Sequence, residues 1–249
     1  MSEQPMEISF VVPAHNEEKW IARTLKAIHV AGQALGAPYE VIVADDASTD
    51  ATATLARANG ARVVSVSHRK IGATRNSGAR ASSGRVLVFV DADTVVNADV
   101  VRAAVEALGS GVAGGGAKVL VDGVLPLWAR MLNAVFQVVS RVLRFAGGCF
   151  LFTTRETFEA VGGFDESLFA GEEIYFGQAL KKRGRFLLLR QTVTTSGRKL
   201  RAYSGWRILS TMGRLLVRGP RAVKQRQGLE LWYEDGREDP GYSEEGGPQ

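Results

Sequence analysis

The chain has 249 residues, 45% hydrophobic and 23% charged. That composition excludes a disordered or fibrous chain and allows one large domain or two small ones. A single cysteine, Cys149, excludes an internal disulfide, and three scattered histidines (His15, His29, His68) leave no Cys/His zinc spacing. The net charge of +5 is uneven: residues 174–229 carry 14 Lys and Arg and no acid, while residues 230–249 carry seven acids and one base, Arg237. Such an asymmetry points to an anionic partner (a phosphate, a lipid headgroup or a nucleic acid), or else to a solvated basic face balanced by an acidic tail.

In chain order, apolar runs alternate with helical patterns. Residues 8–12 read as a strand and 17–35 as a helix. Residues 40–44 form a second strand, with a helix after Ser48-Thr49-Asp50; 62–66 is a third strand, followed by a helix at about 71–81. Residues 85–90 form the fourth strand, with a helix after Asn97. This alternation predicts an α/β fold with a mainly parallel sheet and helices on both faces. Right-handed crossovers then gather the strand-end loops on one edge.

The second half is less regular. Residues 125–145 have helical spacing, with Trp128, Met131, Leu132, Val135, Val139, Val142 and Leu143 apolar, and Arg130, Asn133, Gln137, Arg141 and Arg144 marking a polar stripe. A strand is expected at 147–153, a short helix at 154–161, a turn at 162–165, a helix at 172–183 and an apolar segment at 186–189. Residues 206–217 read as an arginine-rich amphipathic helix, and the Gly, Pro and acid-rich residues from 233 onward as disordered. No apolar signal segment opens the chain and no uninterrupted run of about 18 apolar residues occurs, so a cytoplasmic chain without a transmembrane helix is expected.

The most informative stretch is Arg85-Val-Leu-Val-Phe-Val-Asp91-Ala-Asp93. A buried strand ends in two carboxylates one residue apart, where open α/β sheets bind ligands. Carboxylates so close suit a hard divalent ion carrying a phosphorylated substrate; an ordinary turn or helix cap is the competing reading. Other strand ends carry Pro13-Ala-His-Asn16-Glu17, Asp45-Asp46-Ala-Ser48-Thr49-Asp50 and Gly72-Ala-Thr-Arg75-Asn76-Ser-Gly78. Taken singly, Asn16 and Asp50 read equally well as helix caps and Arg75 as a surface cation.

In this order and spacing, the segments VVPAHNEE, VIVADDASTDAT, GATRNSGA, VFVDADT and GGCFLFTTRETFEAVGGFDESLFAGEEIYFGQALKKRG resemble the family 2 glycosyltransferases over roughly residues 6–200. The resemblance implies a GT-A fold in one domain, residues 1–230, with a nucleotide-sugar half at about 6–120 and an acceptor-side half at 121–230. C-terminal amphipathic helices and an acidic tail at 231–249 follow. It implies that Pro13, Asn16 and Glu17 line the nucleoside pocket, that Asp45 contacts base or ribose with Asp46 beside it, and that Arg75 lies near base and phosphates. Asp91 then touches ribose or metal-bound water, and Asp93 coordinates Mg2+ or Mn2+ on the diphosphate.

The family places its catalytic base at the start of a helix, usually in a Glu-Asp pair. Here the pair is Glu172-Glu173, so the resemblance makes Glu173 the base and Glu172 its support, with a side chain one methylene longer than usual. The Gln-x-x-Arg-Trp signature of polymerising members is absent; Thr195-Ser-Gly-Arg198-Lys199-Leu-Arg201 stands instead, which implies a non-processive enzyme with Arg198 and Lys199 as diphosphate partners. The expected reaction moves a sugar with inversion from a nucleoside-diphosphate sugar to a hydroxyl acceptor, a glycan or a lipid-linked molecule.

The helices at 125–145 and 206–221 suit an anionic membrane surface, at its inner face, as well as they suit a core. The basic region lacks the interleaved aromatics of single-strand binders, so no nucleic acid is expected. Two rivals remain at this stage, a non-catalytic nucleotide-sugar-binding module and a sugar nucleotidyltransferase. Against the latter, Pro13-Ala-His-Asn16 is not a Gly-rich, basic loop.

Overall fold

The computed structural model describes residues 7–208 together with Ser210, Gly213, Val223 and Lys224. The expected helix at 206–217 therefore lies mostly, and the acidic tail at 231–249 wholly, outside the described residues.

The elements run β1 (Ile8–Ala14), α1 (Ile21–Leu35), β2 (Tyr39–Asp46), α2 (Thr52–Ala58), β3 (Arg62–Val66), α3 (Ile71–Ala81), β4 (Val86–Val90), β5 (Thr94–Val95), α4 (Ala98–Gly109) and β6 (Val112–Val121). They continue with α5 (Leu127–Leu143), β7 (Phe150–Thr154), α6 (Arg155–Val161), α7 (Glu172–Arg183), β8 (Arg185–Thr195) and α8 (Arg198–Ala202). All eight strands join one sheet, ordered β3-β2-β1-β4-β7-β6-β8-β5.

The first half is parallel, as alternation of strands and helices predicts: β1 pairs β2 and β4, and β2 pairs β3, all parallel. The second half mixes directions. β7 lies antiparallel between β4 and β6, β8 runs parallel to β6, and β5 pairs antiparallel with β8. Two reversals in succession restore the original direction, so β6 and β8 point the same way as β1 and β4. Carboxyl ends of β1, β2, β4 and β8 thus meet on one edge of the sheet.

The core lies on both faces. Ile8, Phe10 and Val12 of β1 pack with Ile21, Leu25 and Ile28 of α1 and Val100, Val101 and Ala104 of α4. Val11, Leu87 and Phe89 face the other way, against Phe158, Phe164, Phe176 and Leu180. Strands covered on both sides read as continuous apolar runs, because period-2 alternation then meets a core on either face. Helix α1 has no side-chain cap, a contribution of about 1 kcal/mol. Each fully buried Ile or Leu contributes about 1.5–3 kcal/mol, so packing rather than capping fixes α1. Helix α4 has both, since the Asn97 side chain accepts from Val100 N at 2.9 Å.

Three elements escape the sequence reading. Strand β6 begins Val-Ala-Gly-Gly-Gly, which reads as a loop. In the fold its glycines admit close neighbours: a Cβ on Gly115 would stand 2.0 Å from Leu187 O, and one on Gly116 2.3 Å from Ala146 Cβ. Strand β5 is two residues long, and α8 has five, both too short to show a period.

Candidate active site

The shared sheet edge holds a cavity of about 180 Å³. Pro13, His15 and Glu17 line it from the end of β1, Asp46 from β2, Arg69, Lys70 and Thr74 from the entry into α3, and Asp91 and Asp93 from the end of β4. Arg198 and Lys199 close it from α8. Residues far apart in sequence meet here because parallel strands end together and each crossover returns the chain to the same side.

Arg75 anchors one side. It is 1% exposed, yet its guanidinium donates from Nη1 to Glu172 Oε1 at 2.6 Å and from Nη2 to Asp91 Oδ1 at 2.7 Å and Gly148 O at 3.0 Å. Burial alone would lower the arginine's pKa; the charges of Asp91 and Glu172 outweigh that and raise it above its ordinary value. Asp91 in turn is pushed up by burial, pulled back by Arg75 and pushed up again by Asp93. Its neighbour Cys149 is buried with a free thiol, raised first by burial and then by the charge of Asp91, which suits a packing role.

Arg198 anchors the other side. Nη1 and Nη2 donate in parallel to the two carboxylate oxygens of Glu17, at 2.7 and 2.6 Å, and Nη2 also meets Asp93 Oδ2 at 3.1 Å. Asp93 Oδ1 accepts from Thr195 Oγ1 at 3.2 Å, and Ser196 N donates to Asp93 O. The small β5–β8 ladder therefore ties the second carboxylate to the segment that carries Arg198 and Lys199. Behind that segment, Asp122 accepts from Gly197 N at 2.8 Å and from Arg201 at 3.2 Å.

Three expected donor-site residues, Asn16, Asp45 and Arg75, do not line the cavity, and neither do Glu172 and Glu173; Arg75 stands behind it, joining Asp91 to Glu172. Asn16, at a left-handed φ of 50°, spends its side chain on Thr49 N at 2.7 Å and joins the loops after β1 and β2; it is not the cap of α1. Asp45 is buried on the opposite face of the strand from Asp46, since successive side chains alternate, and its Oδ1 has no hydrogen-bond partner among the described residues. Asp46 is the carboxylate that reaches the cavity, but it is already engaged. Oδ1 accepts from His68 N at 2.7 Å and Arg69 N at 3.0 Å, and Oδ2 from Thr74 Oγ1 at 2.9 Å. Asp50 does work as a helix-start acceptor, taking Thr52 N at 2.9 Å.

Glu172 and Glu173 open α7 after Gly171, whose φ of 73° favours glycine. Glu172 is buried on Arg75. Glu173 is half-buried and borders Gly148: a Cβ there would stand 3.2 Å from Arg75 Nη2 and 3.5 Å from Glu173 Cδ. Desolvation, followed by the adjacent charge of Glu172, pushes Glu173 up to about 8. A carboxyl held near neutrality is suited to accepting a proton.

Reasoning from sequence missed His15, Arg69 and Lys70. Arg69 donates to the His15 ring across the cavity mouth. The available signal was position: a basic pair directly before a helix that begins at a strand-end loop.

Asp91 and Asp93 offer hard oxygen donors, the chemistry of a Mg2+ or Mn2+ site. Among the described residues no group of three or more His, Cys, Asp or Glu side chains is arranged to hold a metal ion. A cation would therefore complete its shell from water and diphosphate oxygens, which is how Mg2+ is commonly held.

Comparison with known proteins gives a consistent picture. Residues 9–154 match the family described as Glycosyl transferase family 2. The chain is 28% identical over 205 residues to the succinoglycan biosynthesis protein ExoO of Rhizobium meliloti, covering 77% of this chain and 57% of that protein. It is 35% identical over 102 residues to the 4,4'-diaponeurosporenoate glycosyltransferase of Staphylococcus haemolyticus, covering 38% of this chain and 26% of that one. Among solved structures, the glucosyl-3-phosphoglycerate synthase of Mycobacterium tuberculosis, in complex with Mn2+, UDP and glucosyl-3-phosphoglycerate, superposes with a TM-score of 0.57 at 25% identity, over 85% of this chain and 77% of that one. The chain thus spans about half or less of the length of these two curated relatives.

Proposed function

The chain belongs to glycosyl transferase family 2, with the GT-A type of α/β fold, and on that premise we propose that it is an inverting, non-processive glycosyltransferase. Its donor is a nucleoside-diphosphate sugar and its acceptor a hydroxyl on a glycan or a lipid-linked molecule, used in building a cell envelope at the inner face of the membrane. One observation carries this reading: Asp91 and Asp93 line a basic cavity, and Glu173, a carboxyl near neutrality, borders Gly148, whose carbonyl shares the Arg75 guanidinium with Asp91. The relatives support it, one being a succinoglycan biosynthesis protein and another a glycosyltransferase, with a structural neighbour that binds UDP.

In this reading Pro13 and Glu17 form the wall beside the nucleoside, while Asn16 holds that wall to the loop after β2. Asp45 keeps a buried oxygen with no hydrogen-bond partner among the described residues and serves as acceptor for base or ribose once the loop adjusts; Asp46 sets the loop. The cavity's 180 Å³ falls below the roughly 300–1,000 Å³ of most small-molecule sites, so the donor enters as Arg198 leaves Asp93. Arg198 and Lys199 then meet the diphosphate, for which a guanidinium is a geometric match. Asp93 and Asp91 would hold Mg2+ or Mn2+, and the ion would supply positive charge against the leaving diphosphate. Mn2+ in the structural neighbour supports that choice of ion class.

Glu173 takes the proton of the acceptor hydroxyl as its oxygen attacks the anomeric carbon from the side opposite the leaving group. Glu172 holds Arg75, and Arg75 holds Asp91, so the residue beside the base and the donor-side carboxylate share one buried cation. A positioned base contributes about 10²–10⁴-fold in rate.

The test is a thermal-shift titration of nucleotide sugars with and without Mn2+. Saturation at 100 times Kd stabilises the native state by about 2.7 kcal/mol. A metal-dependent shift with one donor, lost in Asp93→Ala, is expected. No shift with any donor, on a folded protein, defeats the reading.

A further inference from the structure

Helix α5 buries only Ala129 and Ser140 and leaves most of its apolar residues on the surface. Its polar Ser140 is buried, and Gln137 Nε2 donates inward to Val119 O. Its apolar row Leu127, Met131, Val135, Val138 and Val142 points to solvent, each side chain 58–72% exposed. The spacing of four, four, three and four residues keeps this row on one side of the helix, which at 17 residues is about 25 Å long. Trp206, 81% exposed, stands next to Gly205, whose added Cβ would lie 2.9 Å from Trp128 Cδ2. A large aromatic thus flanks the start of the same helix. A continuous apolar face of this kind is rarely left uncovered.

Charge selects the cover. Arg130, Arg141 and Arg144 are exposed along the helix and at its end, and none is ion-paired among the described residues. No Asp or Glu occurs between Asp122 and Glu156. From α7, Lys181 reaches the C-terminal end of α5, donating to Leu143 O at 3.1 Å. An apolar row edged by cations that are not ion-paired among the described residues, in a segment of sequence without acids, complements an anionic lipid surface. No helix among the described residues is long and apolar enough to cross a membrane, so contact would lie in the interface plane.

Position supplies the purpose. Helix α5 ends at Leu143, and five residues on, Gly148 offers its carbonyl to Arg75 and borders Glu173. We propose that the exposed row of α5 seats in an anionic membrane surface and so brings the hydroxyl of a lipid-linked acceptor to Glu173. The acceptor assignment rests on the transfer reading above; the docking does not.

The full chain is floated with vesicles of phosphatidylcholine alone or mixed with phosphatidylglycerol, and V135D/V138D is compared in the same assay. Binding to the anionic vesicles alone is expected, weakening as salt rises. The double variant should lose on the order of tenfold or more in vesicle affinity, since two buried apolar side chains become charged, while keeping its donor-induced thermal shift. Failure of the wild type to float at low salt overturns the proposal, as does unchanged flotation of V135D/V138D. So does a wild-type dimer in light scattering that becomes monomeric in V135D/V138D, which would assign the face to a second copy. A donor shift without flotation rejects docking and leaves transfer standing; flotation without any donor shift does the reverse.

Discussion

The protonation of Glu173 gives the sharpest prediction. With its pKa near 8, about a tenth of the carboxyl is ionised at pH 7 and about nine-tenths at pH 9. The kcat/KM for transfer should therefore climb about tenfold over that interval and level off above it. Glu172→Gln removes the adjacent charge, the second cause of the raised value after burial, so its rising limb should move to lower pH. Glu173→Gln should lose about 10²–10⁴-fold and show no limb at all, while its donor-induced thermal shift persists.

The same group must also mark stability. An ordinary glutamate ionises near 4.5, as it does in the unfolded chain, whereas folded Glu173 holds its proton to about 8. Between those values the unfolded state binds fewer protons, so stability falls as pH rises through the window and levels off beyond it. Thermal melts of wild type and Glu173→Gln from pH 4.5 to 8.5 should diverge in that direction. A flat wild-type pH–rate profile from 6 to 9, or parallel melts, would refute a half-buried, proton-accepting Glu173. Normal turnover in Glu173→Gln would refute its role as base.

Two further predictions concern the frame. Arg75→Met strands Asp91 and Glu172 without their shared cation and should cost about 3–5 kcal/mol in urea unfolding; Arg75→Lys should not restore it, because one ammonium cannot reproduce the three directed donations. Gly115→Ala should destabilise by about 1–3 kcal/mol or more in the same assay, since the new methyl meets the Leu187 carbonyl at 2.0 Å; a change below that range would mean β6 and β8 part easily enough to admit a methyl.

Much of this was legible in the chain itself. The strand Val86–Val90 ending in Asp91 and Asp93, the helices Ile71–Ala81 and Glu172–Arg183, and the cap at Asn97 all carry local signals: apolar period, turn residues, side chains able to bond their own backbone. Local physics also marks Arg75 and Glu172-Glu173 as charges near element starts. What it cannot carry is partnership. That Arg75 joins residues 16 and 97 positions away, and that Arg198 closes on Glu17 across 181, depends on which strand ends meet. The choice of Asp46 over Asp45 at the cavity depends on the pleat of β2, and the strand hidden in Gly114-Gly115-Gly116 on the neighbours that crowd it.

Helix α5 shows the division most plainly. Sequence determined that it is a helix with one apolar and one polar side, because backbone period and side-chain type are local properties. Only the tertiary structure decided that much of the apolar side stays on the surface beside the arginines, because that follows from what lies beneath the helix, where Gln137 donates to the carbonyl of Val119. A hydrophobic pattern states that a face seeks cover; the packed fold alone states whether the protein provides it.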